Sequence, residues 1–279
     1  MTVTNVLSLG LAEQTEIDAY TAFATAAPPA VRDTLGVGSL RLGPARALAI
    51  REDPSRFFNR AGGFDGNEPI TADLIARVCR FFAEQSVPTG SIMIAPDLLP
   101  SDWPAIAAQL NLEEGPTFVK LAYDLDAAVV DVALDSGLRV GRLEPHQARE
   151  WATVMMETFE LATPNEMIDL AEGFVGAPDW QQFAVWESER IVAVGSLYVH
   201  GETAGTFGGA TRPDARGRGA QSALLATRLR AARDAGCRWV VADTGAETSG
   251  QHNPSLHNML RLGFTRRYER TSWVWSEHR

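Results

Sequence analysis

Between residues 138 and 276 the hydrophobic pattern of this 279-residue chain switches repeatedly between strand and helix periods, and that alternation limits the folds open to it. A strand is expected at about 138–143, and His146 to Phe159 reads as a helix. "FAVWES" and "RIVAVGSLYVH" have strand composition and are parted by the turn-prone "SER". "GTFGGAT" is a further strand, weakened by its glycines. A helix is predicted over 217–235, with Gly236 well placed to end it. "CRWVVADT" then reads as a strand, "SLHNMLRLG" as a short helix and "TRRYERTSWVWSE" as a last strand. Strands alternating with helices imply an α/β arrangement in which helices pack on a mixed sheet.

The first half repeats this pattern in outline, though not in residues. "ITADLIARVCRFFAEQSVPTGSIMIAPD" runs helix, turn, apolar strand, as "GAQSALLATRLRAARDAGCRWVVADT" does. "WPAIAAQLNLEEGPTFVKLAY" parallels "SLHNMLRLGFTRRYERTSW" in the same way. Between the two copies, "YDLDAAVVDVALDSG" has an acidic, alanine-rich middle and a Ser-Gly pair, the marks of a passage between units. The expected division is therefore residues 1–135 and 136–279. With 45% hydrophobic residues the chain can bury a substantial core.

The stretch "TRPDARGRGAQSALL" sets a problem that helix formation does not solve. Two glycines at a helix start raise the entropic cost of ordering it. The first turn of a helix presents unpaired N–H groups and a partial positive charge, which suit an anion. Gly217 and Gly219 remove side chains where a ligand would touch the backbone, while Arg216 and Arg218 can add charge and paired donors. Ala220, Ala223, Leu224, Thr227 and Ala231 recur at helical spacing and anchor the turn on a sheet. This is a candidate pyrophosphate cradle; a surface loop with solvated arginines is the plainer alternative. There is no Gly-Lys-Ser/Thr ending, and the glycine spacing does not match the dinucleotide fingerprint.

Charge narrows the partners. A formal net charge of −10 argues against nucleic acid despite the "RGRG" string, because phosphate-backbone binding needs a basic face. No run approaches the ~18 apolar residues of a membrane span. The opening "MTVTNVLSLGLAEQTEIDAY" has no basic segment ahead of its apolar residues, so a cytoplasmic protein is expected. Cys79 and Cys237 both lie in apolar segments and read as buried free thiols, and no metal site is expected.

"RGRGAQ" resembles the acetyl-CoA signature of the GNAT N-acetyltransferase superfamily, Arg/Gln-x-x-Gly-x-Gly/Ala. Arg216 and Gly219 match its first two fixed positions, and Gln221 stands where the family usually has Gly or Ala. "NPSLHNMLRLGF" resembles the family's second cofactor element, with Asn253 at its start and Gly263-Phe264 at its end. The resemblance covers about 138–279. It implies two GNAT-like units in tandem, each a mixed, mostly antiparallel sheet flanked by helices. The first, with "DGNEPIT" and Glu68 where the cradle would be, resembles a degenerate unit without a CoA site; its "NRAGGFDG" loop is a candidate wall of a substrate cleft.

The resemblance further implies that the strand ending at Gly209, Ala210 and Thr211 splays from the strand beginning near Cys237, admitting the pantetheine arm. Acetyl-CoA is the expected co-substrate, held by those residues, by Arg216, Gly217, Arg218, Gly219, Ala220, Gln221 and Ser222, and by Asn253 and Asn258. The expected acceptor is a small-molecule or peptide amine. Many family members place a tyrosine acid four residues before the Gly-Phe pair; this chain has Met259 there. Ser255 is the candidate donor to the leaving sulfur and Asp243 the candidate base. His200 and Glu202 read as parts of a solvated turn. An acyl-CoA-binding sensor or scaffold without catalysis is the alternative to an N-acetyltransferase.

Overall fold

The computed structural model describes residues 7–159 and 164–277. The chain begins with α1 (Leu9–Ala26), whose first turn is capped by the Ser8 hydroxyl, and α2 (Pro29–Leu35). Then follow β1 (Val37–Leu42), β2 (Ala45–Ile50), β3 (Arg60–Gly62), α3 (Ala72–Glu84), β4 (Thr89–Met93), α4 (Trp103–Gln109) and β5 (Glu113–Asp124). The second half holds β6 (Leu138–Arg142), α5 (Ala148–Thr158), α6 (Asn165–Gly173), β7 (Trp180–Glu187), β8 (Arg190–His200) and β9 (Thr203–Thr211). It closes with α7 (Ala220–Asp234), β10 (Trp239–Gly245), α8 (Pro254–Arg261) and β11 (Thr265–Ser276).

All the strands join one eleven-stranded sheet in the order β1-β2-β3-β4-β11-β5-β10-β9-β8-β7-β6. The pairs are antiparallel except for β3 with β4 and β9 with β10. The middle of this order is an exchange. β5, from the first half, lies between β10 and β11 of the second, while β11 lies between β5 and β4 of the first. The halves expected to carry separate sheets thus share one.

Alternation along the strands sorts side chains between two faces. Ala184 and Trp186 of β7 pack with α1, α5 and α6, around Phe23, Trp151 and Leu170. Phe183 and Val185, one residue out of phase, pack with α7 and α8 through Leu224, Leu225, Leu229 and Met259. A third cluster lies under α3 and α4 and includes Phe82, Ile92, Trp103 and Trp275. Cys79 and Cys237 are buried and unpaired.

Two helix boundaries differ from the sequence expectation, for local reasons. α7 starts at Ala220, three residues late, because Gly217 and Gly219 hold left-handed φ values of 77° and 82°. α5 starts at Ala148, since Pro145–Gln147 form a tighter single turn.

Candidate active site

The β9–β10 pairing is short. Only Thr203, Ala204 and Gly205 face Trp239, Val240 and Val241, after which the strands part. β10 remains tied to β5 as far as Gly245 opposite Phe118, and β9 remains tied to β8 as far as Thr211 opposite Ala193. Each strand keeps its outer partner, so the gap between them is held open from both sides. A bulge at Gly208, φ +60°, sits on its wall between the pairs Ser196–Phe207 and Val194–Ala210. Of the expected binding residues here, Ala210 buries its methyl group in the core, and Thr211 donates to the Gln221 Oε1 at 3.4 Å.

Beside the gap lies the start of α7. Gly219, its cap residue, has no side chain to accept from the first turn. Among the described residues no hydrogen bond uses the N–H groups of Gly217, Arg218, Gly219, Ala220, Gln221 or Ser222. These six donors, with the positive end of the helix dipole, form an anion cradle. The corresponding helix in the first half, α3, is closed by the Thr71 hydroxyl, which accepts from Leu74 N–H at 3.2 Å. Arg216 is exposed at the rim, its Nε bonded to Thr211 O at 3.3 Å.

Arg218 departs from the expectation. Its guanidinium binds Glu187 at 2.8 Å and Asp135 at 3.2 Å, pinning the interhalf passage to β7. Only its backbone faces the cradle question, so a direct phosphate contact by its side chain is not what the geometry provides. The passage follows α7 along its length: Arg233 donates to the carbonyls of Leu125 and Ala127, Arg230 pairs with Asp131, and Asp135 N–H bonds Arg218 O at 3.2 Å.

Asn253 likewise serves the fold. Its Oδ1 caps α8, accepting from Ser255 and Leu256 N–H, while Nδ2 donates to Thr244 Oγ1 and Gly245 O. With both polar atoms engaged it sets where α8 starts relative to β10, and a ligand contact would have to displace those bonds. Asn258 Oδ1 is taken by Arg261. Ser255 and Met259, a turn apart on α8, both face the gap.

The gap opens into a cavity of about 360 Å³ built from both halves. Tyr20, Phe57 and Phe58 come from the first half; Met155, Phe159, Phe207 and Asp243 come from the second. Phe57 and Phe159 are strongly exposed for their type, which places apolar surface at the mouth. Phe57 and Phe58 directly precede the "NRAGGFDG" loop singled out in the sequence, and Arg60 of that loop stacks 3.8 Å over the Tyr20 ring.

Behind the cavity lies a buried ionic cluster. Arg270 binds Glu13 at 2.5 Å and Glu16 at 2.8 Å, and Lys120 pairs with Glu16 and, at 3.6 Å, with Glu13. Tyr268 donates to Glu13 at 2.6 Å. Although burial opposes it, the attraction of Arg270 and Lys120 holds the Glu16 carboxyl far below the usual range. Asp243, opposite Lys120 in the β10–β5 register, is displaced the other way. Burial first, then the Glu16 charge, raises its pKa. Sequence reasoning identified Asp243 but not Tyr20, Phe58 or the cluster, which come from segments without any motif. His200 ends β8 instead of lying in the solvated turn, half-buried with Nδ1 3.6 Å from Asp18, whereas Glu202 is exposed in the turn as expected.

Residues 146–264 match the family model described as the acetyltransferase (GNAT) family. They form a GNAT domain. No curated protein matches the chain in sequence. Solved structures match nearly its whole length at low identity. A GCN5-related N-acetyltransferase from Kribbella flavida has a TM-score of 0.66 at 11% identity, covering 98% of each chain. One from Sphaerobacter thermophilus scores 0.61 at 16% identity, over 95% of this chain and 92% of that one. A tandem GNAT protein from the clavulanic acid biosynthesis pathway scores 0.59 at 15%, over 94% and 95%. The fold of both halves together is thus shared with these solved structures. Among the described residues no helix is long and apolar enough to cross a membrane.

Proposed function

We propose that this chain is an N-acetyltransferase that moves an acetyl group from acetyl-CoA directly to the amine of a small molecule. The observation that carries it is the gap between β9 and β10, opening on an uncapped helix start at one end and a largely apolar cavity at the other. Residues 136–279 hold the cofactor. Residues 1–135 are a degenerate GNAT-like unit whose matching helix start is closed by Thr71 and whose aromatic side chains wall the acceptor side.

The residues fit acetyl-CoA in three places. The free N–H groups of 217–222 suit the pyrophosphate, with Arg216 at its edge. The parted edges of β9 and β10 offer backbone partners to the amides of the pantetheine arm. At the Gly208 bulge, backbone N–H groups of β9 polarise the thioester carbonyl. Asp243 takes the proton of the bound ammonium, directly or through water, and its raised pKa improves it as a base. The neutral amine attacks the carbonyl carbon, the C–N bond forms and the C–S bond breaks; the second proton of the nitrogen passes to the departing sulfur, giving the amide and CoA thiol, while Ser255 donates a hydrogen bond to that sulfur. Met259 has no proton to give and shapes the wall. Positioning supplies much of the acceleration in such a site.

The reading is tested by release of CoA thiol, followed with DTNB across a panel of amines. Turnover of an amine with an apolar body supports it. Tight acetyl-CoA binding with no turnover of any amine would instead support an acyl-CoA-binding sensor or scaffold.

A further inference from the structure

Arg228, in the middle of α7, is 1% exposed and forms no ion pair among the described residues. Its Nε donates to Leu224 O at 3.2 Å and Nη1 to Ser196 O at 3.3 Å. Nη2 makes no hydrogen bond among the described residues, although the side chain lies on the cavity wall. A guanidinium has five N–H donors, so most of this one's capacity is unused. Burial alone lowers its pKa to about 10, which leaves it charged at neutral pH. A buried, unpaired cation is strongly unfavourable, and an apolar side chain would fill the same place at less cost.

The surroundings are shaped to keep it. A Cβ on Gly195 would stand 3.0 Å from the Arg228 Cζ, and one on Gly209 would stand 3.5 Å from Nη2. The missing side chain at Gly195 therefore leaves space the guanidinium uses, while Gly209 brings the β9 backbone close to Nη2. Gly209 adjoins the β9 bulge at Gly208, the wall where the thioester carbonyl is placed under the function proposed above.

Acetyl-CoA brings no negative charge to this cation. The phosphates belong at residues 217–222, and Arg228 lies ~9 Å further along the helix than Ser222. The pantetheine arm and the acetyl group are neutral. We propose that Arg228 binds a carboxylate that a substrate carries into the gap, either at the far end of the acyl chain of an acyl-CoA or on the amine acceptor. This rests on the proposed acyl-CoA reading. The acyl-transfer chemistry is unchanged; the carboxylate supplies orientation and selectivity.

Calorimetry on the full chain tests it with two matched series. The first compares acetyl-CoA, butyryl-CoA and succinyl-CoA; the second compares phenethylamine with phenylalanine, with and without CoA. In one series the carboxylate ligand should bind at least about ten-fold tighter than its neutral counterpart. Arg228→Met should bring that ratio to about one with an unchanged or higher Tm, and Arg228→Lys should keep part of it. No preference for a carboxylate in either wild-type series would overturn the inference even if Arg228→Met fails to fold. A preference that survives Arg228→Met would overturn it too. So would a kcat lost equally for every substrate, which would assign the arginine to the leaving thiolate. Failure of CoA itself to bind would sink the proposed function instead, and the amine pair without CoA would still decide the anion site.

Discussion

The two glycines at the start of α7 allow the cradle to be tested by a matched pair of alanine changes. Both hold a left-handed φ, 77° at Gly217 and 82° at Gly219, so alanine at either position is strained by roughly 1–2 kcal/mol. They differ in what a new methyl group meets. At Gly217 there is nothing within 4 Å, whereas at Gly219 it would lie 2.4 Å from the Ala133 carbonyl oxygen. Relief requires the interhalf passage to move away, and Asp135 anchors that passage through its N–H to Arg218 O and its carboxylate to the Arg218 guanidinium. Loosening the Asp135 N–H bond to Arg218 O adds about 1 kcal/mol or somewhat more. We expect Gly217→Ala to cost ~1.5 kcal/mol and Gly219→Ala ~3 kcal/mol, near 4 and 8 °C in Tm by the usual scaling for chains of this size. Both should weaken CoA in calorimetry, because each methyl group intrudes on the amides of the cradle. Differential scanning calorimetry of the two proteins separates the effects. Equal losses of stability would refute the claim that the passage braces the cradle, and unchanged CoA affinity in both would refute the cradle itself.

Asp243→Asn should stabilise the protein at neutral pH, because it removes a buried carboxylate whose ionisation burial and Glu16 oppose. A raised folded-state pKa withdraws stability as pH climbs from the unfolded value near ~3.9 to the folded one. The advantage of Asn over Asp in Tm should therefore be absent below that window, grow through it and then level off; an advantage independent of pH would reject this origin. Residues 136–279 produced alone should not fold as a soluble monomer, since β5 is missing between β10 and β11 and Arg270 loses both carboxylate partners. A cooperative melt of that fragment would contradict this. Ser255→Ala should lower kcat more than it raises KM if its hydroxyl acts on the leaving sulfur, while Met259→Leu, similar in volume, should keep most turnover. The reverse ranking in the DTNB assay would show that α8 acts otherwise.

Most of the second half of the fold is legible because its strands and helices are signalled locally; α6, which starts after Pro164 with no side-chain cap, is the exception. The "GTFGGAT" strand, weak by propensity, forms along β8, and Gly208 supplies the left-handed residue of its bulge. The exchange of β5 and β11 was not legible, because strand pairing over such sequence separation leaves no local trace. Nor does a sequence reveal where a long side chain turns. Arg216 and Arg218 are equivalent in "RGRG", yet one is exposed at the rim on a single bond to Thr211 O and the other is held by two carboxylates. Arg228 reads as one more polar residue on an arginine-rich helix, and nothing local in the sequence marks it as buried. Asn253 stands at the start of α8, and the motif does not reveal that its amide is bound on both sides by its own chain.

The shared sheet also bears on why a first half with a closed helix start would be retained. Glu13 and Glu16 lie on α1 and Lys120 on β5, whereas Arg270 and Asp243 belong to the second half. The two buried cations balance the two α1 carboxylates, so Asp243 is left as the acid without a partner of its own. Its proton affinity is raised by burial and then by Glu16, a residue of the other half. The cavity it faces is walled by Tyr20, Phe57 and Phe58, again from the other half. On the proposed reading, residues 1–135 need no CoA of their own to matter: they set both the basicity of the candidate base and the shape of the acceptor it serves. Divergence in α1 or the Phe57–Phe58 turn would then change acceptor choice and pH dependence while the acyl-CoA cradle on α7 stayed the same.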